Sequence, residues 1–191
     1  MDIQNEQNIN NEVAETRRLV IEREHGALLI WGLTTFAVGM LIFLLQYFWG
    51  GEYGILWIAL PLIASPLQYF VDRKADRKSG KNLTQVYRTL GRIGIVTTIM
   101  ILATVLLSLI YDFNVYMVIM LILTIWVGFT GFMLNYPMLL SLMAGGLGFS
   151  ILVRVMYESA YILPIFTFGA SLLLIVSGLD MYRRSITRQF S

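Results

Sequence analysis

Six apolar blocks, each about twenty residues long, follow one another along this chain with short polar passages between them. They cover residues 27–49, 53–71, 93–111, 115–134, 138–157 and 160–181. A bilayer core about 30 Å thick needs roughly 20 helical residues to cross it, so each block has spanning length. The pattern predicts an all-α protein: a polytopic transmembrane helical bundle of six spans. The first block contains no charged residue, with Trp31 near one end and Tyr47, Phe48 and Trp49 at the other. That placement suits the two headgroup belts, where amphipathic rings collect.

Ahead of the spans, residues 1–26 are polar and mixed in charge. Ile9, Val13, Thr16 and Val20 recur at helical spacing and draw a narrow apolar stripe, which predicts a short polar N-terminal helix. This segment lacks the short basic opening followed by an apolar core that marks a cleavable leader. Residues 183–191 form a basic tail.

Charge then orients the layout. Seven of the fourteen Lys and Arg residues lie in the 72–92 loop: Arg73, Lys74, Arg77, Lys78, Lys81, Arg88 and Arg92. With both termini and this loop on one side, thirteen of the fourteen share that side and Arg154 alone lies opposite. Cytoplasmic loops carry the Lys and Arg excess, so both termini are expected in the cytoplasm. The expected location is the cell inner membrane, crossed several times. Composition agrees: the chain is 57% hydrophobic and 14% charged, against about 25% charged in soluble domains. It has no cysteine, which removes disulfides, thiolate metal sites and cysteine nucleophiles.

Chemistry-bearing residues are sparse. Gly148-Phe149-Ser150 in a six-span frame invites comparison with intramembrane serine proteases, but their serine needs a histidine in a later span, and the single histidine is His25. Glu22 and His25 have the spacing of two ligands on one helix face, yet no second such pair exists. Hydroxyls inside the spans, such as Thr35, Thr98 and Ser150, can return a hydrogen bond to their own helix and need no catalytic explanation. No cofactor, no metal and no enzymatic activity are expected.

Three features stand out as candidate positions. Arg154 and Glu158, at i and i+4 near the outer end of the fifth span, would contact a lipid headgroup or an anion, or simply reach the interface as a pair. Pro61 and Pro66 in the second span each lack a backbone donor and predict a bend or hinge. Ser141, Ala144, Gly145 and Gly148 have small-xxx-small spacing, which predicts close packing on another helix, in the same chain or in a second copy.

A polar N-terminal helix, an LLIWG opening to the first span (28–32), a proline-containing second span and a charged inner loop leading into VYRTLGRI (86–93) come in this order. In these features the chain resembles a family of small six-span inner-membrane proteins of Bacteroidota type. The resemblance implies the fold and the location and assigns no role to any residue.

Two functions fit these readings. One is a non-enzymatic membrane protein acting by contact with lipid or with a cytoplasmic partner protein, through residues 9–24 and the 72–92 loop. Nucleic acid is not an expected partner. The other is a small transporter or channel, with a cavity where Pro61 and Pro66 meet the glycine-rich fifth span.

Overall fold

A computed structural model describes residues 3–50, 53–79, 85–111, 113–156 and 161–187. All regular structure among them is helical: α1 (Ile3–Trp49), a 3-10 turn (Gly54–Ile58) leading into α2 (Ala59–Ser79), α3 (Gln85–Ser108), α4 (Val115–Met133), α5 (Pro137–Val155) and α6 (Ile162–Thr187). Six stretches are long and apolar enough to cross a membrane, beginning with Arg23–Trp49 and ending with Ile162–Arg183.

Local chemistry sets the helix ends. Gly50, at φ 63°, ends α1 in the left-handed region, its N–H donating to Gln46 O. Asn114 caps α4 by accepting from Met117 N at 2.9 Å, and its amide donates to Val153 O, joining the start of α4 to the end of α5. At the other end of α4, Asn135 takes φ 49° while Asn135 N donates to Phe132 O and Tyr136 N to Gly131 O. This is a Schellman stop built on asparagine, and Pro137 then opens α5 where a missing N–H costs nothing.

Neighbouring helices pack in chain order, and α1 packs along α6, which closes the ring. Glycines permit that closure. A Cβ on Gly32 would stand 2.7 Å from Ile175 Cγ1, one on Gly178 2.8 Å from Leu29 Cγ, and one on Gly39 would strike Thr167. These contacts run in opposite directions along the two helices, so the span of α1 begins at the end where α6 finishes. That end also holds the end of α2, the start of α3 and the α4–α5 turn, and is called the basic end below. The interior is filled by large side chains, among them Trp31, Trp57, Trp126 and Phe166, each no more than 2% exposed.

Several boundaries differ from the sequence reading. α1 is one uninterrupted helix, with no break at residue 26 between polar segment and span. Most of the 72–92 loop is helical, since α2 runs to Ser79 and α3 starts at Gln85. Long polar residues such as Arg73 and Lys74 favour helix once water is available to their heads.

The prolines lie on different faces of α2. Pro61 is buried in its first turn, where the donor it lacks would be unused, and Pro66 is exposed in its interior. α2 packs on α1 and α3, whereas α5 packs on α4 and α6.

The small residues of α5 are likewise reassigned. Ser141, Ala144, Gly145 and Gly148 are all exposed, and a Cβ at Gly145 or Gly148 would meet nothing within 4 Å. Gly145 and Gly148 thus have no other helix against them among the described residues. Gly146, one residue round the helix, has one: a Cβ there would lie 2.5 Å from Thr124 Oγ1 of α4. Gly146→Leu is expected to destabilise the protein by about 1–3 kcal/mol through overpacking. Gly145→Leu should leave the melting of the single chain unchanged. Thermal melts of both variants in detergent check this, and equal losses would refute the assignment.

Candidate functional site

Arg23, Glu24 and His25 of α1 stand at the basic end, and Arg23 and His25 meet other helices there. Arg23 points toward α2 and α3. Its Nη2 donates to Asp72 Oδ2 at 2.9 Å, with side-chain exposures of 8% and 17%. The guanidinium lies over Gly91 of α3, where a Cβ would come within 2.8 Å of Nη2. Any larger residue at 91 would push the charge out of its slot. One helical ion pair thus ties three helices together.

Glu24 is 2% exposed, and Arg23 Nε stands 4.0 Å from its Oε1. It belongs to the most buried face of α1, followed by Leu28, Trp31, Thr35, Val38 and Ile42, all at 4% or less. His25 is occupied otherwise: its Nδ1 lies 3.1 Å from Ile21 O, and its ring packs on Tyr182 of α6 with centroids 5.3 Å apart. The Glu22–His25 spacing therefore has its histidine turned to a backbone carbonyl. Among the described residues no three His, Cys, Asp or Glu side chains gather as a metal site.

Two turns further into the bundle, Trp31 Nε1 donates to Gln68 Oε1 of α2 at 2.8 Å. The Trp31 ring meets Trp126 of α4 edge-on, centroids 5.7 Å apart and planes at 78°. On the other flank of the same end, Tyr136 OH donates to the Asp180 carboxylate, tying the α4–α5 turn to α6. Buried or half-buried polar groups thus ring the basic end from α1, α2, the α4–α5 turn and α6.

The far end is mostly aromatic. Trp57, Tyr116 and Phe166 pack mutually, with Trp57–Phe166 and Tyr116–Phe166 centroids 5.2 Å apart. Arg154 is exposed on α5 at that end, and its expected partner Glu158 lies outside the described residues.

Span hydroxyls divide into two groups. Thr35, Thr98, Thr104, Ser141, Ser150 and Ser177 donate to carbonyls of the preceding turn, as expected. Thr124, Thr130, Thr167 and Ser171 are buried without a partner, as is Trp126 Nε1.

Sequence reading placed Arg23 and Glu24 in the solvated lead-in and so missed this cluster. A signal was present: Arg23 and Glu24 abut the apolar run with no polar spacer beyond His25 and Gly26. Together these features define a six-helix bundle of the multi-pass membrane class, with a buried ion pair at one end. Comparison with protein-family models, curated proteins and solved structures found no match for the chain.

Removing one partner of a largely buried ion pair leaves the other uncompensated, at a cost of about 3–5 kcal/mol. Asp72→Asn keeps the shape and should lower thermal stability by less than that amount, since Glu24 Oε1 remains 4.0 Å from Arg23 Nε as a counter-charge. Gly91→Val should do the same by displacing Arg23, and combining the two should cost less than their sum. Additive losses in a melting double-mutant cycle would mean that the glycine and the ion pair act separately.

Proposed function

We propose that this is a non-enzymatic multi-pass protein of the cell inner membrane, with both chain ends in the cytoplasm, which works by contact with a cytoplasmic partner protein. The observation that carries the reading is the length of α1. Counting out from the Arg23–Asp72, Leu29–Gly178 and Arg23–Gly91 contacts, Ser79 falls level with Thr16, Thr187 with Val20, and Gln85 with Arg17. Residues 3–15 of α1 therefore run past the described ends of α2, α3 and α6, by about 20 Å at 1.5 Å per residue.

A helix that is continuous with a membrane span is a stiff lever. Whatever binds its front is coupled, without a flexible joint, to the ion pair at Arg23 and to the α1–α6 seam. The apolar positions 9, 13, 16 and 20 continue, seven residues on, into Arg23 and Ala27, both buried. By helical register the stripe shares a face with Arg23 and Ala27. A partner helix laid along it would sit over the basic end, beside the 72–92 segment. Anionic lipid is the other contact of this basic segment, at about 1 kcal/mol per basic residue.

The positive charge distribution supports a cytoplasmic basic end, and the likeness to small six-span proteins of Bacteroidota type accords with it. Reporter fusions at Ser79 and after Ser191 should both read cytoplasmic, and one at Asp112 should read external. A chain lacking residues 1–15 should keep its melting point, because the Arg23 cluster remains, and should lose neighbours that cross-linking recovers with the full chain. Recovery of the same neighbours without residues 1–15 would refute the contact role of α1.

A further inference from the structure

Basic pockets between spans bind anionic lipid headgroups, and the simplest such pocket is a close helix crossing flanked by cations on its lipid side. α2 and α3 cross closely at the basic end. One guanidinium joins them from within the bundle: Arg23 Nη2 stands 2.9 Å from Asp72 Oδ2, and a Cβ on Gly91 would stand 2.8 Å from the same nitrogen. One turn deeper, a Cβ on Gly94 would lie 3.4 Å from Gln68 Nε2. With 72 level with 91 and 68 level with 94, the two helices run antiparallel.

The residues that follow Asp72 and Gly91 are Arg73 and Arg92. One residue turns a helix by about 100°, and in antiparallel neighbours the two turns are mirror images. Both arginines therefore leave the flank that Arg23 occupies and come to the outer flank of the same seam. Burial agrees, since Asp72 and Gly91 are partly buried while Arg73 and Arg92 are exposed. They also share a height. Arg73 ends the second spanning stretch (Ile55–Arg73), and Arg92 lies in the first turn of the third (Thr89–Ser108).

Below the two arginines the same flank is apolar. Tyr69 and Leu62 continue the face of Arg73 at i−4 and i−11, and Ile95 and Ile99 continue that of Arg92 at i+3 and i+7, all four exposed. A tyrosine one turn beneath an arginine stands where rings collect at the headgroup boundary. The seam thus presents cations at headgroup height and a hydrocarbon surface beneath them, the charge order of an anionic phospholipid. Arginine suits this role, because its planar fork meets two phosphate oxygens at once.

We propose that the outer flank of the α2–α3 seam is a site for one anionic phospholipid of the leaflet at the basic end. Its phosphate is held between Arg73 and Arg92, and its chains lie along Tyr69, Leu62, Ile95 and Ile99. The lipid joins α2 to α3 from outside, as Arg23 does from inside. The site goes beyond the contact role of α1 and uses no part of residues 3–15, so either reading can fail without the other.

The test places the full chain in nanodiscs of phosphatidylcholine, with and without phosphatidylglycerol, for melting and for native mass spectrometry after transfer to detergent. Wild type should melt higher with phosphatidylglycerol and carry one molecule of it into detergent. Arg73→Gln and Arg92→Gln should each weaken that retention about tenfold, as loss of a charged hydrogen bond does. Arg183→Gln at the same end and Arg154→Gln at the other should leave it unchanged. If the Gln variants fail to insert, Arg73→Lys and Arg92→Lys decide the matter: they keep the charge, and retention should still fall because an ammonium lacks the fork. Full retention in the Arg73 and Arg92 variants, or an equal loss in Arg183→Gln, would overturn the site in favour of a diffuse charge effect. Equal stabilisation of wild type by inorganic phosphate in phosphatidylcholine would overturn it in favour of a free anion.

Discussion

Without bare backbone at Gly32, Gly39 and Gly178, α1 and α6 could not lie in contact, and the ring of helices would stand open between its first and last members. Between helices in lipid there is little hydrophobic drive, because tails are as apolar as leucine. Close van der Waals approach does the work, and small residues allow it. The α1–α6 seam also holds α1 upright, so that Arg23, Glu24 and Trp31 are presented to α2, α3 and α4. Gly146 against Thr124 does for α5 and α4 what the three glycines do for the outer pair.

With the frame set in this way, the two ends of the bundle are chemically unlike. The far end is closed by rings packed edge to face and by the Asn114 bridge to Val153. The basic end is closed by charge, with Arg23 on Asp72 and Tyr136 on Asp180. The same end carries the long front of α1, which runs past the described ends of α2, α3 and α6.

Much of the candidate site was within reach of the sequence and was lost through one habit of reading. Arg23 and Glu24 sit where polar sequence turns apolar, and charges in that position ordinarily snorkel to water. Their burial depends on Gly91 and Asp72, which are 68 and 48 residues away along the chain from Arg23 and Glu24 respectively. The small residues of α5 show another limit. Ser141, Ala144, Gly145 and Gly148 have the spacing of a packing face, but spacing does not say which side of the helix a neighbour will take.

Hydropathy by itself determined the class, the number of spans and the clustering of charge on one side. These are local properties: a helix of spanning length is apolar whatever stands next to it, and a turn such as Asn135-Tyr136-Pro137 carries its own stop and start. Tertiary structure alone decided which face of each span is interior, that α1 continues unbroken from its polar front, and which glycines are contacts. The physical reason is that a span is apolar all round, so its sequence carries no contrast between a side facing lipid and a side facing another helix. Only the neighbouring helices, Thr124 beside Gly146 or Asp72 beside Arg23, supply that distinction.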